Sequence, residues 1–98
     1  MSVPVPRPAG WCVYLIRCGD GSLYCGVTNR LDGRLAAHRA GKGARYTRGR
    51  GPLRLCWTEA AADRGAALAR EHAVKQLPRE EKQALLRGAR QPRRRSPP

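Results

Sequence analysis

The sequence predicts an α+β fold in which three antiparallel strands are flanked by helices, in the order β-β-α-β-α-α. Two apolar runs joined by a glycine-rich turn predict a β-hairpin, and a third run alternates as a strand does. Two segments with apolar residues at helical spacing, and a third whose charges follow the helix dipole, predict the helices. The predicted domain covers residues 11–87, between a flexible proline-rich leader at 1–10 and a disordered basic tail at 88–98.

The predicted hairpin carries a tyrosine on each strand. The runs WCVYLIRC and SLYCGV are joined by GDG, whose glycines accept positive φ. A three-residue loop sets a register in which Tyr14 lies opposite Gly26, so Tyr14 and Tyr24 project from the same side of the sheet, about 7–8 Å apart. Gly26 then leaves a notch opposite Tyr14. Taken alone, the two tyrosines would be interpreted as packing residues.

Caps and stops delimit the predicted helices. The first begins at residue 30 after a cap at Thr28 or Asn29 and stops at Gly41. The second follows a cap at Asp63 and ends near Leu77, since a proline comes next. A short third helix covers 79–87.

A basic loop and a third strand separate the first two helices. Residues 41–52 are rich in glycine and arginine and are predicted to be a loop. Residues 53–60 alternate, which predicts a strand with Leu53, Leu55 and Trp57 on one face.

Charge and size indicate a polyanionic partner. The chain has 98 residues, and 20 Lys and Arg against 7 Asp and Glu give a formal net charge of +13. A domain of this size buries a modest core, and the planar arginine side chain suits phosphate. Charge alone leaves a ribosome, DNA, RNA and anionic lipid open as partners.

The four cysteines are predicted to be buried, reduced thiols in a cytoplasmic protein. Cys12 and Cys18 lie too far apart on one strand to be bridged, and no C-x-x-C spacing occurs. The sequence predicts neither a signal peptide nor a membrane span. A domain this small and this charged is predicted to be a monomer.

Polar residues occupy the predicted packing faces of both longer helices. Arg34 and His38 lie beside Leu31 and Leu35, on the one apolar stripe of the first helix. On the second helix, Glu71 takes a place that an apolar residue would ordinarily fill. A buried carboxylate needs a cation, and both an arginine and a divalent metal ion meet that need. The stripe of the second helix consists of Ala67, Leu68, Glu71 and Val74.

The basic loop is the best candidate for contact with nucleic acid. Its glycines expose backbone N–H groups, and its tyrosine is suited to stacking on a base or sugar. No acid occurs between Asp32 and Glu59 to neutralise the loop. The alternative is a solvated loop without a ligand. The candidate binding residues are Lys42, Arg45, Tyr46, Arg48 and Arg50.

The ordered set of polar residues resembles that of the GIY-YIG nuclease superfamily, and most closely its small stand-alone bacterial (YhbQ-like) members. VYL at 13–15 stands where the family has GIY, and YCG at 24–26 where it has YIG. The segment GKGARYTRGRGPLRL is similar to one typical of the stand-alone group. The resemblance runs from Trp11 to about Leu86. The residues that match the catalytic set are Tyr14, Tyr24, Arg34, His38 and Glu71.

The resemblance implies a metal-dependent endonuclease that hydrolyses phosphodiester bonds of DNA, branched and single-stranded forms included, in repair or recombination; RNA stays open. Glu71 would hold one Mg²⁺ or Mn²⁺ ion, and Arg34 would neutralise charge on the phosphate. Tyr14, Tyr24 and His38 would position the attacking water and take its proton. Which of these three is the base stays open.

Three departures from the family pattern bear on this implication. GIY has become VYL and YIG has become YCG, although both tyrosines are kept. Val27 stands where the family's repair nucleases have lysine, and the late asparagine of many members has its nearest counterpart in Gln83. No separate DNA-binding domain is predicted, so the basic loop or a partner protein must supply targeting.

Two other functions fit parts of the sequence. A noncatalytic nucleic-acid-binding module would keep the fold and the charge. A basic ribosome-associated protein would explain the charge but not Glu71 on a packing stripe.

Overall fold

In a computed structural model of the protein, described over residues 5–87, three strands and three α-helices occur in the predicted order. The α+β class and the order β-β-α-β-α-α are therefore confirmed. The strands are β1 (Cys12–Arg17), β2 (Leu23–Thr28) and β3 (Arg54–Ala60). The α-helices are α1 (Leu31–Arg39), α2 (Arg64–Gln76) and α3 (Arg79–Arg87).

The sheet has the strand order β2-β1-β3, and β1 is antiparallel to both neighbours. The predicted hairpin register is confirmed, since Tyr14 pairs with Gly26. The turn closes where the Cys18 N–H donates to the Ser22 carbonyl at 2.9 Å. Side chains alternate along a strand, so this register places Tyr14 and Tyr24 on one face of the sheet.

The sheet separates two apolar clusters. One face packs against α1 through Leu31 and Leu35. The other face packs against α2 through Ala67 and Val74, with Leu85 of α3 at its margin. Strand β1 is covered on both faces, which explains why its sequence is an almost unbroken apolar run.

The prediction that the apolar residues of β3 share one face is wrong. Leu15 of β1 pairs with Trp57, but the next residue, Ile16, pairs with Leu55, so Cys56 is the extra residue of a β-bulge. The bulge shifts the alternation by one. Leu55 therefore packs on the α1 side of the sheet, whereas Trp57 packs on the α2 side.

The helix ends agree with the sequence except at the start of α1. Arg30 is its N-cap, not Thr28 or Asn29, and the Thr28 hydroxyl instead accepts the Arg30 N–H at 3.0 Å before the helix begins. Gly41 follows α1 with a φ of 78°, as the predicted stop requires. Asp63 caps α2 as predicted, and its carboxylate accepts a first-turn N–H at 2.8 Å.

Three further features are the basic loop, the cysteines and the segment before β1. The basic loop contains one 3-10 turn, at Arg45–Thr47, that the sequence did not indicate. The cysteines are free thiols as predicted, although Cys56 is half-buried. Before β1, Val5 packs on the α1-side cluster and Arg7 forms an ion pair with Asp32 at 2.6 Å.

The predicted tail at 88–98 and residues 1–4 of the predicted leader lie outside the described residues. The flexible leader and the disordered tail therefore stay predictions. Between residues 5 and 87 no helix combines the length and apolar character that crossing a membrane requires.

Candidate functional site

Four residues of the predicted catalytic set lie on the α1 side of the sheet. Tyr14 comes from β1, Tyr24 from β2, and Arg34 and His38 from successive turns of α1. The ring centres of the tyrosines are 6.3 Å apart, and the His38 ring lies 5.9 Å from Tyr14 and 5.4 Å from Tyr24. We call Tyr14, Tyr24 and His38 the tyrosine–histidine cluster. The hairpin register and the stripe of α1 together bring these rings into contact.

Tyr14 is the deeply buried member of the cluster. Its hydroxyl lies 2.9 Å from Nε2 of His38 and against Gly26, in the notch that the sequence predicts. Burial raises the pKa of Tyr14 to about 12, while a hydrogen bond from Arg34 acts in the opposite direction. The phenol is therefore protonated at neutral pH, and it needs more positive charge nearby to release its proton.

His38 connects Tyr14 to the basic loop. Its Nδ1 lies 2.9 Å from the Thr47 hydroxyl and 3.3 Å from the backbone nitrogen of Ala44. Burial, followed by the charge of Arg34, lowers the pKa of His38 below its ordinary value of 6.5. At neutral pH the ring is therefore an uncharged imidazole held between a phenol and the loop.

Glu71 lies on α2, which packs against the opposite face of the sheet. It stands on the stripe between Ala67 and Val74, and its side chain is 20% exposed. Burial, and less strongly the Glu71 carboxylate, raises the pKa of the Cys25 thiol to about 11. Glu71 forms an ion pair with Lys75, one turn along the helix, at 3.2 Å. The partner is therefore a lysine and not the arginine considered from the sequence.

Glu71 is the metal ligand that the resemblance implies. Within residues 5–87, His, Cys, Asp and Glu form no group of three or more that could enclose a metal. Mg²⁺ keeps several waters and accepts one or two carboxylates together with phosphate oxygens. Lys75 is half exposed, so its ion pair contributes about 0–1 kcal/mol and does not close the site. A site at Glu71 would depend on water and substrate for its other ligands.

The predicted stripe of α2 is wrong at one position. Leu68 is 40% exposed and lies outside the α2-side cluster, whereas Ala67 and Val74 are fully buried. Of the four predicted residues, those at 67, 71 and 74 share the packing face, since position 68 is turned about 100° from 67 on a helix. Glu71 keeps its predicted place on that face.

One of the predicted nucleic-acid-binding residues, Tyr46, lies against the cluster, and a second, Arg50, lies against Tyr46. The Tyr46 ring stacks on Tyr24 with ring centres 5.8 Å apart, and the Arg50 guanidinium lies 4.4 Å from the centre of the Tyr46 ring. Arg50 also pairs with Asp20 of the hairpin turn, an acid from outside the loop. Arg50 is thus already engaged by the protein. The exposed basic residues of the loop are Lys42, Arg45 and Arg48.

Sequence reasoning missed three loop residues that contact His38: Gly43, Ala44 and Thr47. The 3-10 turn folds the loop back onto α1, which leaves Thr47 2% exposed. A Cβ on Gly43 would lie 2.7 Å from Cγ of His38, so only glycine lets the backbone approach the ring this closely. No periodicity signals these contacts, because they depend on the path of an irregular loop.

Acid is expected to destabilise the protein through His38. The folded-state pKa of His38 lies below its ordinary 6.5, so the unfolded chain binds a proton first. Stability should fall as the pH drops below about 6.5, by at most about 1.4 kcal/mol per pH unit. Thermal unfolding followed by circular dichroism between about pH 7.5 and 5.5 measures this loss.

Two variants make the pH measurement specific. His38→Gln should remove the acid dependence, and His72→Gln, at an exposed position on α2, should retain it. If both variants lose stability to the same extent as the pH falls, His38 is not the group responsible. The pKa of Asp20 is lowered to about 2, chiefly by hydrogen bonds from Ser22, so its contribution is lost only in more acidic solution.

Known proteins resemble this chain in sequence and in fold. A family model described as the GIY-YIG catalytic domain matches residues 10–84. A UPF0213 protein of Vibrio cholerae is 45% identical over 82 residues, which cover 83% of this chain and 81% of that protein. A UPF0213 protein of Nitratidesulfovibrio vulgaris is 50% identical over 76 residues, which cover 78% and 69%. The solution NMR structure of a UPF0213 protein from Bacillus halodurans aligns with a TM-score of 0.52 at 45% identity, over 79% of this chain and 82% of that one. This chain therefore belongs to the GIY-YIG nuclease family, in its group of small stand-alone UPF0213 proteins.

Proposed function

We propose that the protein is a metal-dependent endonuclease that hydrolyses phosphodiester bonds of DNA in repair or recombination. The observation that carries the proposal is the tyrosine–histidine cluster with Arg34 beside it. Buried polar groups cost free energy unless they are bonded, so packing alone does not explain this combination. The net charge of +13 supports a polyanionic substrate.

Arg34 is assigned to the phosphate. Its guanidinium is half-buried beside the Tyr14 hydroxyl, where little water screens its charge. A planar cation in such a place can bind a phosphoryl oxygen and stabilise the negative charge that grows there during hydrolysis.

The two phenols are assigned to the attacking water. In hydrolysis the water oxygen bonds to phosphorus and the bond from phosphorus to one deoxyribose oxygen breaks. The proton of the water passes to a protein base, and the departing oxygen takes up a proton from the solvent. Tyr14 is buried and protonated, whereas Tyr24 is half-buried and lies nearer the solvent. Arg34 already lies beside Tyr14, so Tyr14 needs the charge of a bound cation as well before it can accept that proton.

Glu71 is assigned as the protein ligand of one Mg²⁺ or Mn²⁺ ion. When bound, such an ion supplies positive charge for the phosphate and for the departing oxygen. Glu71 and the phenols belong to opposite faces of the sheet, but both lie next to β2, which is an edge strand. The assignment therefore puts the substrate along the outer edge of β2, where no strand of the described residues pairs with it.

Incubation of the protein with supercoiled, branched and single-stranded DNA and with RNA, in Mg²⁺, Mn²⁺ or EDTA, tests the proposal. Metal-dependent cutting of DNA that stops in EDTA is the expected result. Binding without cutting in every metal would overturn the proposal and leave a noncatalytic binding module as the function. Cutting of RNA alone would show that the substrate is RNA and not DNA.

Salt should weaken DNA binding steeply, because the exposed loop cations contact phosphates. Arg48→Ala is expected to lower affinity equally for all sequences and to reduce the slope of log K against log salt by about 1. Arg64→Ala removes the same charge from the start of α2 and should leave the slope unchanged. Fluorescence anisotropy across a salt series measures both variants, and equal slopes would exclude the loop as the phosphate contact.

A further inference from the structure

Two arginines lie side by side on the face of the sheet opposite to the tyrosine–histidine cluster. Arg17 ends β1, and Arg54 begins β3 as its paired residue. Arg17 follows Ile16, which packs on the α1 side, so Arg17 projects from the other face. Arg54 lies between Leu53 and Leu55, which also pack on the α1 side, and it projects from that same other face. Directly paired residues have Cβ atoms about 4.5–5.5 Å apart, so the two side chains leave the sheet next to each other.

This pair carries two positive charges and no opposing carboxylate. Both side chains are exposed, and within residues 5–87 neither of them forms an ion pair. Like charges placed directly opposite each other on a sheet destabilise it. The fold therefore gives no stabilising reason for the pair, whereas an anion bound between the two side chains would offset their repulsion.

Helix α3 holds one member of the pair and adds a third arginine. The Arg17 guanidinium donates to the side-chain oxygen of Gln83 at 3.4 Å. Arg79, one turn earlier on α3, donates to a backbone carbonyl of the GDG turn at 3.4 Å. Residues four apart share one face of a helix, so Arg79 and Gln83 face the same end of the sheet. The acids of this first turn, Glu80 and Glu81, are turned about 100° and 200° away from Arg79.

The three arginines and the basic loop meet at the GDG turn. On the loop side, the Arg50 carbonyl accepts the Gly19 N–H, and the Arg50 guanidinium pairs with Asp20. On the α3 side, Arg79 bonds to the last residue of the turn. The loop ends at residue 52, two positions before Arg54. This end of the sheet therefore presents positive charge on both of its faces.

We propose that Arg17, Arg54 and Arg79, which we call the arginine triplet, bind the phosphate backbone of a nucleic acid. Arginine suits this ligand, because its planar fork can donate two hydrogen bonds to one phosphodiester group. Contacts to phosphate carry no sequence information, so the triplet adds affinity without a preference for particular bases. The inference shares its nucleic-acid ligand with the proposed function, but it concerns binding and does not depend on cleavage.

Fluorescence anisotropy of labelled single-stranded and duplex DNA in EDTA, across a salt series, tests the triplet in the full chain. Arg54→Gln should reduce the slope of log K against log salt by about 1, and affinity at about 0.1 M salt by about 5–10-fold. Arg54→Lys keeps the charge and should keep the slope. Arg64→Gln, at the start of α2 beyond the other end of β3, should change neither quantity. A wild-type slope in Arg54→Gln, or an equal reduction in Arg64→Gln, would overturn the proposal.

Thermal unfolding without DNA gives a second measurement, in which the same substitution should be favourable. Relief of the repulsion between Arg17 and Arg54 should raise the Tm of Arg54→Gln by about 1–5 °C. The gain should shrink at high salt, because ions already screen the repulsion between exposed charges in the wild type. A lower affinity together with a lower Tm would show that Arg54 has a structural role, and would overturn the proposal.

Inorganic phosphate distinguishes a nucleic-acid strand from a free anion as the ligand. If millimolar phosphate at constant ionic strength raises the Tm of the wild type but not of Arg54→Gln, while both bind DNA with the same slope, the ligand is free phosphate and the proposal falls.

The nuclease and the arginine triplet fail separately. If no DNA is cut in any metal but the slope falls in Arg54→Gln, the nuclease falls and the triplet stands. If DNA is cut while Arg54→Gln keeps the wild-type slope, the nuclease stands and the triplet falls.

Discussion

Glu71→Gln is expected to lower the rate of metal-dependent DNA cleavage by a factor of about 10²–10³. The substitution keeps the size of the side chain and removes its charge, so packing beside Val74 is retained while the proposed ion loses its carboxylate. DNA affinity in EDTA should not fall, because the proposed phosphate contacts come from the basic loop. Initial rates on a labelled substrate, together with anisotropy in EDTA, measure the two effects.

Glu80→Gln is the matched control for this substitution. It removes the same charge at an exposed position in the first turn of α3, and we expect it to cleave at the wild-type rate. Calorimetric titration with Mn²⁺ should show weaker binding for Glu71→Gln alone. If Glu71→Gln cleaves DNA at the wild-type rate in Mg²⁺, Glu71 is not part of the site.

Gly26→Ala is expected to destabilise the protein and to abolish cleavage. A Cβ at this position would lie 2.5 Å from Cζ of Tyr14 and closer still to its hydroxyl. Tyr14 is 1% exposed between the sheet and α1, so it has no free space to move into. Overpacking of this kind costs about 1–3 kcal/mol, and each kcal/mol lowers Tm by about 4–8 °C in a domain of this size.

Gly33→Ala provides a matched comparison on α1. A Cβ there meets no atom within 4 Å, and the residue lies inside a helix, where alanine is favoured over glycine by about 0.5–1 kcal/mol. Thermal unfolding should therefore show a lower Tm for Gly26→Ala and a higher one for Gly33→Ala. A Gly26→Ala protein as stable and as active as the wild type would show that the notch does not hold Tyr14.

Local features of the sequence were sufficient to predict the hairpin and the helix ends, apart from the start of α1. The GDG turn set the register, and the register placed Tyr14 opposite Gly26. The bulge at Cys56 was not predictable in the same way. The alternation of β3 continues through it, and the extra residue is seen only when β3 is paired with β1.

The candidate site was predictable in its residue types and only in part in its arrangement. Helical spacing placed Arg34 and His38 on the face that meets the tyrosines, because side chains four apart on a helix share one face. Spacing could not show that Glu71 approaches from the other face of the sheet. That depends on the face of the sheet to which the chain crosses between β3 and α2. The sequence of the connection does not determine that face.

By itself the sequence determined the strands and helices, the pairing of the hairpin and the polar residues that depart from a packed core. Each of these follows from forces between near neighbours in the chain, such as turn geometry, capping and the burial of one stripe. Only the tertiary structure decided that Thr47 and Ala44 close on His38, that Asp20 engages Arg50 and that Glu71 stands on the far face. These contacts join residues whose separation follows no helical or strand period, so they exist only once the loop and the sheet have packed.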